Sequence, residues 1–521
     1  MDPRSLSRKV LLPPIVLWLG ILACSRGDVP ASTTLGDPVS RTFGTEGSPL
    51  LPTTIVTPFV RPTPTATPAA PTPIASPTLP PTPTLISSAP PENILYTAQA
   101  GDTLRALAVR FGVVPSDIRF TDGALPAEGG LIAQDQLLVI PRRLGLTGPA
   151  ERLIPDSELV FSPSVTDFDI EVFVNSQGGF LGQYREYVSR RTRNGAEVVQ
   201  LVARDNSVNP HILLAILEFH SGWVTDPRQP PAASLDYPLG HVDPSDRGLF
   251  HQLTWLANEL GKGYYGWRAG TLVDLLLQDG SFVRLAPDLN AGTVALQYYF
   301  AQRAGGREWG EALGANGVIA AYKRLFGDPS SYAHPLYEPG LSQPPMILPF
   351  LEGRVWAFTG GPHGAWEREA AWAALDFAPS AMETGCAVSD DWLVASAPGL
   401  VVRSENGVVV LDLDGDGLEQ TGWSLLYLHV AEEGRVTKGT PVEQGDLLGH
   451  PSCEGGVATG THAHLARKYN GEWILADGPL PFELSGWIAR AGTEPYQGEL
   501  VKGDQVVLAC PCATQATLIS R

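Results

Sequence analysis

Positive charge is scarce in this chain. Its 521 residues hold 36 Lys and Arg against 55 Asp and Glu, a formal net charge of −19. That balance argues against nucleic acid and anionic membrane surfaces as binding partners, since both would repel it. Cysteine is scarcer still, at five residues with no C-x-x-C pair, which counts against a zinc site built from cysteine. A bilayer-spanning run is missing as well. The N-terminal apolar run, 10–23, is 14 residues long and contains Pro13 and Pro14, whereas a crossing helix needs ~20. What is present is a hydrophobic fraction of 43%, ordinary for a globular protein, and length enough for about three domains.

The first residues, MDPRSLSRKVLLPPIVLWLGILAC, place Arg4, Arg8 and Lys9 before the apolar run and close on Ala23 and Cys24. Charge, core length and the small residue at the break describe a secretory signal. The ending resembles a bacterial lipobox. That resemblance implies that 1–23 is a lipoprotein signal peptide and that acylated Cys24 ties the protein to a membrane; an ordinary signal with an incidental Cys24 is the other reading. Residues 24–92 are expected to be a disordered tether. Within 51–91 there are 13 prolines and 10 threonines, and Arg61 is the only charge, a composition that cannot bury a core. Proline-rich chain extends ~3.1 Å per residue, so the tether would reach more than ~100 Å. A lipid at one end of such a spacer sets the folded part at a distance from the membrane, toward a cell wall. Export brings an oxidising compartment, in which the four remaining cysteines are expected to pair. A bond between Cys510 and Cys512 would be strained, so Cys386–Cys453 is the expected disulfide, with a zinc–cysteine cluster as the other reading.

Residues 94–143 read as a small module. Asp102 or Thr103 caps a helix that carries Leu104, Leu107, Ala108 and Phe111 at helical spacing; a second short helix starts near Pro115, and QLLVIP is a strand. The segment is similar to a LysM module, with YTAQAGDTL, then AVRFG, then the closing LLVIP; Ala98 and Asp135 depart from the usual valine and glycine. The resemblance implies a βααβ fold that binds N-acetylglucosamine-containing glycan beside its first loop, at Gly101, Asp102 and Thr103.

Residues 160–340 read as mainly helical, with NPHILLAILEFHSGWV, LNAGTVALQYYFAQRA and NGVIAAYKRLFGDP as amphipathic or buried helices. These stretches resemble the lysozyme-like fold of lytic transglycosylases, through 215–223, 248–252, 290–292 and 320–323. Where that family keeps its acid, before Ser221, this chain has His220, and Glu218 lies two residues earlier. Glycosidic cleavage needs a protonated carboxylic acid for the leaving oxygen. A non-catalytic helical domain is therefore expected.

The chemistry lies in the last third, where turn glycines separate short apolar strands in an all-β pattern. Five of the ten histidines fall between 363 and 464. In GTHAHLA, His462 and His464 share one face of an extended strand. Upstream stand His363 and Asp376 in TGGPHGAWEREAAWAALDFAP, and His429 in SLLYLHV. The set resembles the lysostaphin/LytM-type zinc peptidases, and its GGPH…LDF spacing the β-lytic and staphylolysin branch. The resemblance implies a peptidase domain over 347–490 in which His363, Asp376 and His464 bind Zn2+, His462 is the general base and His429 stabilises the oxyanion. No HExxH glutamate exists in the chain to serve as base instead. DLDGDGLEQ begins like a calcium loop at Asp412, Asp414 and Asp416, but position 12 is Trp423; a turn held by Asx bonds is expected, and Ca2+ is the alternative. Residues 491–521 are expected to be a C-terminal tail.

The whole is expected to be a multidomain α+β protein: an exported zinc endopeptidase of peptidoglycan, held on glycan by the LysM module. The alternatives are a non-catalytic LytM-like regulator and a glycan-binding anchor of the wall. Such regulators lose zinc ligands, and this chain keeps them.

Overall fold

The computed structural model describes residues 92–121, 129–366, 371–380, 385–512 and 514–521. The signal segment, the acylation site at Cys24 and the tether up to residue 91 lie outside the described residues. Ser87–Arg521 form one compact unit, built from three parts.

The first part holds β1 (Asn93–Thr97), α1 (Leu104–Phe111), β2 (Arg119–Phe120) and β3 (Leu137–Pro141), with β3 antiparallel between the other two strands. Thr103 starts α1 by accepting the Ala106 amide, and Gly112 ends it at a φ of 66°, the left-handed stop that glycine favours. Leu107, Ala108 and Phe111 pack on Leu138 and Ile140. The expected second helix is a single 3-10 turn, Pro115–Asp117, because the chain must already be extended at Arg119. Asp135, which stands where glycine is usual, takes a φ of 66°, a conformation Asp tolerates better than most residues.

The second part is mainly helical. It runs through α2 (Ile170–Gln177), the hairpin β4 (Arg185–Val188) and β5 (Arg191–Asn194), α3 (Gly195–Asn206), α4 (Pro210–Ser221), α5 (Ala232–Asp236) and α6 (Leu249–Ala269). The hairpin β6 (Asp274–Leu276) and β7 (Phe282–Arg284) leads to α7 (Ala291–Ala301), α8 (Gly306–Leu313) and α9 (Val318–Phe326). Every residue from Ile212 to Leu217 is fully buried. Helix α4 is therefore apolar all round and sits at the centre of this part. Helices α6 and α7 approach closely at Gly263, where a Cβ would lie 2.7 Å from the Ala295 Cα. No described helix is long and apolar enough to cross a membrane.

The third part is all β: β8 (Val355–Gly364), β9 (Trp372–Pro379), β10 (Leu393–Val394), β11 (Gly399–Glu405), β12 (Val408–Asp412), β13 (Trp423–Leu428), β14 (Pro441–Val442), β15 (Leu447–Gly449), β16 (Ala463–Tyr469), β17 (Glu472–Trp473), β18 (Glu483–Leu484), β19 (Trp487–Ala491), β20 (Gly498–Lys502), β21 (Gln505–Leu508) and β22 (Leu518–Ser520). A large antiparallel sheet has the order β14-β11-β12-β13-β16-β9-β8-β22, with β17 folded back on β16. A four-stranded sheet, β18-β19-β20-β21, adds Leu484, Ala489, Leu500 and Val507 to the same core as Phe358 and Leu465. The stretch 491–521 is thus no tail. Strands β20 and β21 complete the smaller sheet, and β22 pairs with β8, setting buried Ile519 opposite Trp356. The structure also joins Cys510 to Cys512, the pairing expected to be strained; their Cα atoms are 5.1 Å apart.

Two buried ion clusters fasten the helical part to the sheet. In one, Arg268 of α6 lies 3.1 Å from Glu472 of β17 and 3.1 Å from Asp156. In the other, Arg403 of β11 donates to Asp205 of α3 and, at 2.9 Å, to Glu419, which also receives Lys468 of β16 at 3.2 Å. Burial would raise the Glu419 pKa, but Arg403, Lys468 and Arg204 hold it down at about 2. Asp205 shares Arg403 yet faces Glu419, and burial pushes it the other way. An acid held below its unfolded value stabilises the fold above that value, and the stabilisation is lost as pH falls through the folded one. Glu419→Gln is expected to cost about 3 kcal/mol at neutral pH. Urea unfolding should show the gap to the parent chain closing as pH falls from 4.5 to about 2; a gap independent of pH would contradict this assignment.

Candidate metal centre

One row of the large sheet carries the site. Val408, Leu428, His464, Asp376 and Gly360 stand side by side across β12, β13, β16, β9 and β8. His363 reaches the same place from the irregular end of β8, where the pairing shifts between Gly360 and His363 and again before Gly364. Such a bulge re-aims side chains. Gly360 has to be glycine, because a Cβ there would lie 2.6 Å from Asp376 Oδ2.

Three buried ligand atoms converge. His363 Nε2 and His464 Nδ1 lie 3.3 and 3.2 Å from Asp376 Oδ1 and 3.1 Å from each other. The outer nitrogens are already committed: His363 Nδ1 donates to Gly361 O at 2.8 Å, and His464 Nε2 to Ala365 O at 2.9 Å. A carbonyl only accepts, so those nitrogens carry the protons and the neutral rings turn two lone pairs inward. Asp376 Oδ1 makes no hydrogen bond. Two lone pairs and a carboxylate oxygen repel one another unless a cation lies among them. A buried N, N, O set is the donor set of a catalytic zinc, and the residues fit that metal. Burial disfavours charge on all three. At His363 the Asp376 carboxylate overcomes burial and raises the pKa, whereas at His464 burial wins and lowers it. Asp376, which burial would raise, is held well below its usual value by His363 first and then His464.

His462 and His429 stand beside this set. His462 Nε2 is 3.7 Å from Asp376 Oδ2, and its Nδ1 donates to Gly460 O at 2.7 Å. The His429 and His462 rings are 4.4 Å apart. His429 takes a φ of 69°, a costly conformation for a residue with a side chain and one found at functional sites. Its Nδ1 donates to Glu454 O at 2.9 Å, and burial, with His462 and His464 nearby, pushes its pKa down to about 3. Neutral His429 therefore presents an acceptor at Nε2. The oxyanion role expected for it needs a donor there, and the geometry gives the opposite. The expected disulfide partners, Cys386 and Cys453, are bonded, which holds the 452–454 segment behind His429 to the 385–387 loop that accepts from Thr461.

Tyr496 joins the site from outside every motif. Its ring stacks on His363 with centroids 4.1 Å apart, and its carbonyl accepts the Gly361 amide at 2.9 Å. It also has a φ of 69°. Only the path of the chain after β19 brings it there, so no local pattern points to it.

Other expected sites look different. Asp102 is 1% exposed and accepts from Tyr96 Oη at 2.7 Å, the Gln99 amide at 2.8 Å and Arg110 at 2.7 Å. Thr103 uses its hydroxyl to cap α1, and a side chain on Gly101 would collide with the Arg268 guanidinium. The expected glycan-binding loop is thus buried under the helical part. Asp412 is buried and receives the amides of Asp414, Gly415 and Gly417 at 3.2, 3.1 and 2.8 Å. The three carboxylates lie near one another, but these are the bonds of an Asx turn, and Trp423 at position 12 is a strand residue. In the helical part, His220 Nε2 lies 2.9 Å from the Tyr299 hydroxyl, and burial with Arg303 pushes its pKa down to about 3. Glu218 is engaged by the Val224 and Thr225 amides and the Thr225 hydroxyl.

Residues 152–339 match the family model described as the LasA N-terminal domain. That span coincides with the helical part, whose likeness to lytic transglycosylases rests on sequence motifs alone. Protease LasA of Pseudomonas aeruginosa strain UCBPP-PA14 is 27% identical over 321 residues, covering 56% of this chain and 70% of that protein. Its counterpart in strain PAO1 matches with the same identity and coverage. Similar solved structures include the M23 metalloprotease Pseudoalterin from the deep sea (20% identity, TM-score 0.26, 33% of this chain and 96% of that one). Another is a zinc-containing peptidase from Vibrio cholerae (16% identity, TM-score 0.20, 27% of this chain and 41% of that one). The likeness to Protease LasA supports a peptidase.

Proposed function

We propose that this chain is an exported zinc endopeptidase that cuts peptide cross-links or stem peptides of bacterial peptidoglycan. The observation that carries the reading is the convergence of His363 Nε2, Asp376 Oδ1 and His464 Nδ1 beside an acceptor nitrogen of His462. When bound, zinc polarises a scissile carbonyl and brings the pKa of a water toward about 7. His462 accepts a proton at Nε2, because Gly460 O holds its other nitrogen protonated. Asp376 Oδ2 stabilises the imidazolium that forms. His429 offers a second acceptor, and the Tyr496 ring keeps His363 in place. The lipobox and the tether support a position in the cell envelope with Cys24 as the anchor.

The helical part supports no glycosidase chemistry in this reading, since burial keeps His220 from becoming the imidazolium that could act as an acid and Glu218 is tied to the turn after α4. Digestion of purified peptidoglycan by the full chain tests both statements. New free amino groups without new reducing ends are expected. Reducing ends without amino groups would replace the peptidase with a glycosidase in the helical part.

A further inference from the structure

A polar cleft of about 560 Å³ opens where the helical part meets the sheet. Arg191 and Arg193 of β5, Arg204 of α3, Asp167 and Glu171 near the start of α2, and Glu405 at the end of β11 line it. Most of its charges are partnered: Arg191 lies 3.3 Å from Glu197, and Arg204 donates to Glu405. Arg193 is the most deeply buried of the three arginines. It is 6% exposed, and its Nε, like that of Arg204, makes no hydrogen bond. A buried guanidinium N–H without an acceptor is costly to the fold, and burial lowers the Arg193 pKa, with Arg191 adding to the effect and Glu197 and Glu405 opposing it. Asp167 and Glu171 offer exposed carboxylates in the same cleft.

The cleft shares a strand row with the metal centre: Glu405 stands beside Val408, Val408 beside Leu428, and Leu428 beside His464. The turn after Glu405 packs on the 454–455 segment, where a Cβ on Gly407 would lie 2.6 Å from Glu454 O. That same carbonyl accepts the His429 Nδ1 proton. In register, Val408 stands beside Leu428, so the turn lies at the end of the sheet that carries His429.

We propose that this cleft is a second substrate site, which takes a zwitterionic segment of wall peptide with its carboxylate on Arg193 and its ammonium on Asp167 and Glu171. Wall peptides carry both groups, whereas a neutral glycan has no charge to offer a buried guanidinium. The proposal rests on the peptidase reading for its substrate class. In it the helical part holds the peptide while the neighbouring centre cuts it.

Calorimetry on the full chain, stripped of metal so that only the cleft is read, tests this. The probe is a soluble peptide with a free terminal carboxylate and a free lysine ammonium. Arg193→Gln should weaken binding at least about tenfold, the measure of one charge-assisted hydrogen bond. Gln200→Trp, which fills the cleft from an exposed position of α3, should do the same without touching a buried charge. Amidating the peptide carboxylate should also weaken binding. Parental binding by the two variants, or equal binding of the free and amidated peptides, overturns the proposal. The peptidase reading is tested separately: binding by a chain that cuts nothing when loaded with zinc sinks that reading and leaves the cleft, and cutting with unaltered binding in both variants sinks the cleft alone.

Discussion

Replacing His462 by alanine is expected to leave the metal bound and to cut turnover by about 10²–10⁴-fold, the usual worth of a positioned proton acceptor. The reason is geometric. The three converging atoms belong to His363, Asp376 and His464, and none is on His462, whose Nε2 stands 3.7 Å from the outer oxygen of Asp376. Removing the ring should also leave the row of ligands intact, because β16 begins at Ala463 and keeps its register with β9. Wall cleavage and metal content measured on the same preparation decide the matter. Loss of metal in His462→Ala would move His462 into the ligand set.

His464→Ala is expected to remove metal and activity together. Its Nδ1 is one of two lone pairs turned on Asp376 Oδ1, and Ala365 O fixes that orientation. Truncating an outer-shell partner of a ligand typically costs about 10–100-fold in affinity, so losing the ligand itself should exceed that range. The fold should survive, since Leu465 and Ala466, not His464, carry the packing of β16 into the two cores. A chain that still binds zinc at parental affinity after His464→Ala would contradict the ligand assignment.

Much of the site is legible in the sequence because its signals are local. The strand period alone puts His462 and His464 on one face, whereas His363 and Asp376 stand out only through the likeness of GGPH and LDF to the β-lytic peptidases. What the local pattern misses depends on contacts distant in the chain. Tyr496 joins His363 only because the turn between β19 and β20 comes back to Gly361, and 491–521 reads as a tail because β22 pairs with a strand more than a hundred residues earlier. The loop at Gly101–Thr103 matches a glycan-binding pattern within its own segment, and nothing in that segment announces that Arg268 will cover it. The role of His429 turns on which nitrogen faces Glu454 O, a detail that residue type does not encode. Sequence separation disfavours a bond between Cys510 and Cys512, yet the structure forms it.

The most direct test of the zinc assignment is the metal content of the full chain after chelation and re-addition of zinc, measured by atomic emission beside a variant carrying His363→Ala, Asp376→Ala and His464→Ala. One zinc per parental chain and none in the variant is the predicted result, with wall-peptide cleavage returning in step with the metal. A parental chain that binds no zinc, or a variant that binds as much as the parent, would contradict it.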